Sequence, residues 1–184
     1  MASFLKNLFA SKKPENTNIS TAYPADFEAL HQTVYSKVKP YTMTSAERIY
    51  GLIEAVKYIT RYQIEGAIVE CGVWKGGSMM AIAQTLKSEK ADTRHLYLYD
   101  TFEGMPPPTE ADKDFSGVDA AARLNEESNN KKESYIWAYS ALDEVKAAMA
   151  LTQYNPERIQ YIQGKVEDTI PASIPDKIAL LRLD

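Results

Sequence analysis

With Cys71 as its only cysteine, the 184-residue chain has no internal disulfide. That composition suits a reducing compartment, and a cytoplasmic location is expected. Cys71 sits inside an apolar stretch, where a small thiol packs as a hydrophobe and does not act as a nucleophile. No apolar run approaches the roughly 20 residues of a membrane span. Positive charge is not in excess either: 21 Lys and Arg face 25 Asp and Glu, a net charge of -4. Such a balance offers no general attraction to nucleic acid or to an anionic membrane. There is no internal repeat. What remains is ordinary globular composition, 45% hydrophobic and 25% charged, in a chain long enough to bury one real core.

Within that unremarkable background, residues Ala67 to Ser78 stand out. An apolar run (Ala67, Ile68, Val69) ends in Glu70, glycines follow at 72, 76 and 77, and a helical pattern starts at Ser78. A buried strand, a glycine turn and a helix start form the layout of nucleotide-type cofactor sites in α/β sheets. A dinucleotide fingerprint would need glycine at 74, which is Trp74. A phosphate loop would need Lys and Ser/Thr where Ser78 and Met79 stand. The pattern that fits is E-x-G-x-x-x-G, and a carboxylate at the strand end suits a cationic ligand. S-adenosylmethionine carries an ammonium and a sulfonium and no phosphate. Lys75 would meet an anion, but a lysine in such a turn is commonly just solvated.

Around this turn the chain reads as follows. Phe4, Leu5, Leu8 and Phe9 with Lys6, Lys12 and Lys13 outline a weak amphipathic helix, and Lys12 to Ser20 is a polar linker. Asp26 to Val38 is helical, with His31 as a surface or packing residue. Thr44 to Glu47 reads as a capping box for a helix burying Ile49, Leu52, Ile53, Val56 and Ile59. A second strand, His95 to Tyr99, ends at Asp100, placed to accept both hydroxyls of a cofactor ribose. The Pro106-Pro107-Pro108 loop and the polar stretch Asn125 to Ser134 are expected to cover the substrate side. Ser140 begins another helix, and Arg158 to Gln163 is a third strand closed by Gly164. Lys165 to Ile170 is a turn carrying Glu167 and Asp168. Lys177 to Leu183 is a fourth strand running into Asp184.

Glu70 to Ser78 (Glu-Cys-Gly-Val-Trp-Lys-Gly-Gly-Ser) resembles the first motif of the macrocin O-methyltransferase family, enzymes that methylate sugar hydroxyls of macrolide and aminocoumarin products. Three further segments match in order: Tyr41 to Ser45 with Glu47 and Arg48, Tyr99 to Pro107, and Ile178 to Asp184. The resemblance implies a doubly wound, Rossmann-like class I methyltransferase fold, incomplete after its fourth strand. It divides the chain into a helical and linker segment, 1–40, and an S-adenosylmethionine-binding domain, 41–184. Thr42 and Met43 would enclose the cofactor, with Glu70, Gly72, Gly76, Ser78, Asp100 and Gly164. Either Glu167 or Asp168 would accept the adenine amine. Asp184 matches the first ligand of a Mg2+ site whose remaining acids would lie beyond it.

The implied partner is a sugar-containing small molecule, and the general base is unassigned. The open edge of the fourth strand points to a homo-oligomer. Two alternatives stand beside this reading. One is a non-catalytic cofactor-binding or interaction fragment. The other, a dinucleotide oxidoreductase, is disfavoured by Trp74.

Overall fold

The computed structural model describes residues 23–105, 108–109, 112–113, 117–126, 137–170 and 172–183. The amino-terminal amphipathic and linker segments, Pro106 and Pro107, most of the polar stretch after Asn125, and Asp184 lie outside the described residues.

Helix α1 (Ala29–Val38) runs through a 3-10 turn, Lys39–Tyr41, towards α2 (Ala46–Arg61). Strand β1 (Ala67–Cys71) leads into α3 (Gly77–Ser88) and then β2 (Leu96–Asp100). Short α4 (Ala120–Glu126) and α5 (Leu142–Ala150) precede β3 (Ile159–Gln163). A single turn of helix, α6 (Val166–Thr169), occupies the segment expected to be a plain turn, and β4 (Ile178–Leu183) closes the order. The four strands are parallel and ordered β3-β2-β1-β4. The chain steps outward from β1 to β3, then returns to lay β4 on the other side of β1. The direction of winding reverses between β1 and β4, and the carboxyl ends beside such a switch point are the usual ligand position in open α/β sheets.

Every residue of β1 is buried, as a central parallel strand covered on both faces requires. Alternation sorts its side chains. Ile68 joins Leu96, Leu98, Ile53, Val56 and Ile82 in the larger core, while Val69 and Cys71 pack with Tyr99 on the opposite face. Each fully buried aliphatic side chain contributes about 1.5–3 kcal/mol, so the larger face anchors the sheet. Val34 and Val38 of α1 belong to that same core. Burial pushes the Cys71 thiol pKa up and Glu70 beside it adds to the shift, which leaves the thiol inert.

The expected capping box moves by one residue. Ser45, not Thr44, is the N-cap of α2, its Oγ accepting from the Arg48 N–H at 3.5 Å. Thr44 is engaged elsewhere, by Arg182 of β4. The outer edge of β4 has no partner strand among the described residues, and Leu181 and Leu183 are exposed there.

Candidate functional site

The turn between β1 and α3 is held by its neighbours. Gly72 N–H donates to the Tyr99 carbonyl at 2.9 Å, continuing the β1–β2 ladder past the strand. Gly76 caps α3 at φ 83°, a left-handed value that glycine takes without a Cβ clash. Gly77 serves close approach instead: a Cβ there would lie 2.5 Å from the Tyr41 carbonyl oxygen and 2.7 Å from Thr42 Cβ. The missing side chain therefore lets the segment before α2 lie directly on the start of α3. This brings Thr42 to the turn, as the sequence suggests. Thr42 Oγ1 accepts from Thr44 N–H at 3.0 Å, Met43 projects its exposed side chain, and Ser78 is buried in the first turn of α3.

Trp74, where a dinucleotide turn has glycine, adopts φ 49°, a left-handed conformation that is strained for a bulky residue. Asp100 holds it there. The Asp100 Oδ2 accepts from the N–H groups of Val73 at 2.6 Å and Trp74 at 3.1 Å, and Oδ1 accepts from Phe102 N–H at 2.8 Å. The strand-terminal acid thus spends most of its acceptor capacity on the protein's own backbone. Two oxygens offer about four lone-pair sites, and three backbone donors already use most of them. Its main-chain carbonyl also receives the Gly164 N–H at 3.0 Å, which ties the end of β3 to the same residue.

Glu70 is placed as the sequence argues, at the β1 end and deeply buried, but its charge is compensated internally. Its Oε1 accepts from Arg182 Nη1 at 2.5 Å, with side-chain exposures of 1% for Glu70 and 17% for Arg182. The two residues are register partners on β1 and β4. Arg182 Nη2 reaches Thr44 Oγ1 at 3.3 Å, so one guanidinium links β1, β4 and the segment before α2. Glu70 therefore does not present an uncompensated negative charge to a cationic ligand.

Lys75, expected to be solvated, instead places Nζ 4.7 Å from the Trp74 ring centroid.

Gly164 lines a cleft of about 760 Å³ at the carboxyl ends of β2 and β3. Thr101, Glu103, Gln163 and Lys165 supply its polar wall, and Met105, Leu124 and Trp137 its apolar one. Gln163 Nε2 donates to the Thr101 carbonyl at 3.2 Å, and Trp137 Nε1 to the Leu124 carbonyl at 3.1 Å. The mix suits an aromatic base with an attached sugar. Glu167 and Asp168 are exposed on α6 and do not line this cleft. Trp137 and Arg182 are the residues that sequence reasoning passed over.

Among the described residues, no three His, Cys, Asp or Glu side chains converge as a metal site. The two histidines lie elsewhere. His31 Nε2 meets Glu54 at 2.8 Å, and His95, just before the amino end of β2, meets Arg158 at 2.7 Å.

Comparison with known proteins gives a consistent answer. The family described as Macrocin-O-methyltransferase (TylF) matches residues 2–184. The chain is 28% identical over 144 residues to the 8-demethyl-8-(2,3-dimethoxy-alpha-L-rhamnosyl)-tetracenomycin-C 4'-O-methyltransferase of Streptomyces olivaceus, covering 78% of this chain and 51% of that protein. To the mycinamicin III 3''-O-methyltransferase of Micromonospora griseorubida it is 24% identical, covering 78% of this chain and 54% of that one. The solved structure of the O-methyltransferase NovP superposes with a TM-score of 0.62 at 24% identity, over 78% of this chain and 55% of NovP. That likeness establishes the fold, the class I methyltransferase arrangement. The chain spans about half the length of the curated relatives it matches.

Proposed function

The chain belongs to the macrocin O-methyltransferase family, and from that premise we propose that it binds S-adenosylmethionine and serves methyl transfer to a hydroxyl of a sugar-containing acceptor. The observation that carries the reading is the glycine turn after β1, with Trp74 left-handed where a diphosphate would need glycine. The turn and the cleft beside it fit the cofactor's chemistry. Trp137 and Leu124 offer a wall for adenine, and Thr101 and Gln163 offer groups for ribose hydroxyls.

When bound, S-adenosylmethionine supplies an electrophilic methyl group to an attacking oxygen. The protein's own residues do the positioning. Asp100 fixes the backbone of Val73 and Trp74, and Arg182 holds the segment around Thr44 over the turn. Such fixed geometry is what proximity catalysis requires. The acceptor's proton must pass to a base, because a sugar hydroxyl is a weak nucleophile at neutral pH. Neither histidine is placed to take it.

Magnesium belongs to the same reading, with Asp184 as one ligand, but the ion wants a near-octahedral set of oxygens. The described residues bring no such set together.

Calorimetric titration of the chain with S-adenosylhomocysteine and, separately, with NAD tests the cofactor reading. Heat with the first alone is expected; binding of NAD alone overturns it. Assaying methyl transfer onto a glycoside acceptor then separates an enzyme from a cofactor-binding module. Self-association of the chain belongs to the same proposal, and sedimentation tests it: a chain that sediments only as a monomer overturns that part.

A further inference from the structure

A chain of contacts runs from the end of β2 to α4 along the wall of the larger cleft. It begins at Thr101. The Thr101 Oγ1 accepts the Glu103 N–H at 3.3 Å and donates to the Gly104 carbonyl at 3.5 Å, while the Thr101 carbonyl accepts from Gln163 of β3. Gly104 itself stands at φ 81°, in the left-handed region. The next residue, Met105, donates its N–H to the Trp137 carbonyl at 2.9 Å. A Cβ on Gly104 would lie 2.5 Å from that same carbonyl oxygen, so only glycine lets Trp137 come this close.

The indole of Trp137 holds α4. Its Nε1–H donates to the Leu124 carbonyl at 3.1 Å, in the last turn of a helix of only 7 residues. A helix that short is not stable alone in water and depends on tertiary support. Leu124 is 4% exposed, yet it belongs to neither hydrophobic core of the sheet. The amino end of α4 is tied to a loop, the Ala120 N–H donating to the Asp112 carbonyl at 2.9 Å. Trp137 thus ties the other end of α4 to the segment that follows β2. Ala121, Leu124 and Asn125 of α4 line the cleft together with Gly104, Met105 and Trp137. Displacing Trp137 therefore removes more of the wall than its own ring.

We propose that Trp137 is a positioning residue for cofactor binding: clamped at its carbonyl by Gly104 and Met105 and at its indole by Leu124, it carries α4 into place as a wall of the cleft. The inference rests on the methyltransferase reading and adds the residue that assembles the cleft. One side chain makes two separable contributions. The ring supplies apolar surface, which phenylalanine keeps in part. The N–H supplies the hold on α4, which phenylalanine lacks.

The test compares the whole chain with Trp137→Phe, Trp137→Leu and Gly104→Ala. In calorimetry with S-adenosylhomocysteine, Trp137→Phe should bind about fivefold more weakly, the scale of one neutral hydrogen bond. Trp137→Leu, which also lacks the ring, should lose at least roughly tenfold. Gly104→Ala leaves the indole intact but drives the Trp137 carbonyl away, and should fall as far as Trp137→Phe. Without ligand, the α4 amides should exchange hydrogen faster in all three variants, while the Val73 and Trp74 amides, braced by Asp100, keep their protection. With fluorotryptophan at both tryptophan positions, the fluorine resonance missing from Trp137→Phe belongs to Trp137, and it should shift with S-adenosylhomocysteine and with adenosine. A tryptophan serving only the stability of the free protein would give no such shift. Unchanged affinity in Trp137→Phe and Gly104→Ala, unchanged α4 exchange, or a Trp137 resonance indifferent to ligand would each overturn the proposal. Failure of the cofactor reading shows separately, as absent heat with the parent chain while α4 exchange still follows the variants.

Discussion

Replacing Arg182 with Met is expected to cost about 3–5 kcal/mol of stability, the range for removing one partner of a buried ion pair. The side chain of Glu70 is 1% exposed and sits in the central strand, so water cannot replace the guanidinium without opening the sheet. Methionine is close to arginine in length and apolar, which keeps packing losses small and isolates the electrostatic term. Arg182→Lys should fall between the two, because an ammonium cannot serve Glu70 and Thr44 with the fixed fork of a guanidinium. The double change Glu70→Gln with Arg182→Met should recover most of the loss, since neither buried charge then remains. Urea unfolding measures all four proteins. A midpoint for Arg182→Met equal to that of the parent would sink the claim, and so would a double variant less stable than the single one.

That pair also marks the boundary of what the sequence discloses. The strands, the glycine turn and the order of elements are local properties. Apolar runs bounded by Asp100, Gly164 and Asp184 gave β2, β3 and β4 to within a residue or so. The Glu70–Arg182 contact joins residues 112 apart, through a register that only the assembled sheet defines. A signal was nevertheless present: each of two apolar strands carries a single charge, of opposite sign. The α2 cap shows the same limit. Thr44 and Ser45 are both good cap residues, and Arg182, by taking Thr44, leaves Ser45 to cap. The choice between the two acids proposed for the adenine amine stays open for a related reason. Whether Glu167 or Asp168 faces a ligand depends on the winding of a four-residue helix, and it leaves both in solvent.

For Asp100→Ala the expected result is a double loss, about 2–4 kcal/mol of stability in the ligand-free protein and at least a tenfold fall in affinity for S-adenosylhomocysteine. The argument starts from three backbone N–H groups, those of Val73, Trp74 and Phe102, that all donate to this one carboxylate. Bonds to a charged acceptor are worth about 1.5–3 kcal/mol each, although they share one side chain and do not add. Two of the donors, Trp74 at φ 49° and Phe102 at φ 55°, are non-glycine residues held left-handed. Each conformation costs on the order of 1–3 kcal/mol, so cutting the tether lets the turn relax and returns part of the loss. The relaxed turn no longer presents the Val73–Trp74 backbone to a ligand, and affinity falls with it. Asp100→Asn should be intermediate, because its amide NH2 meets donors where an acceptor is needed. A carboxylate that served only a ribose would behave differently: affinity would fall while the urea midpoint of the free protein stayed fixed. Hydrogen exchange gives the second measurement. The Val73 and Trp74 amides should exchange faster in Asp100→Ala than in the parent, and unchanged protection at both would remove Asp100 as the brace of the turn.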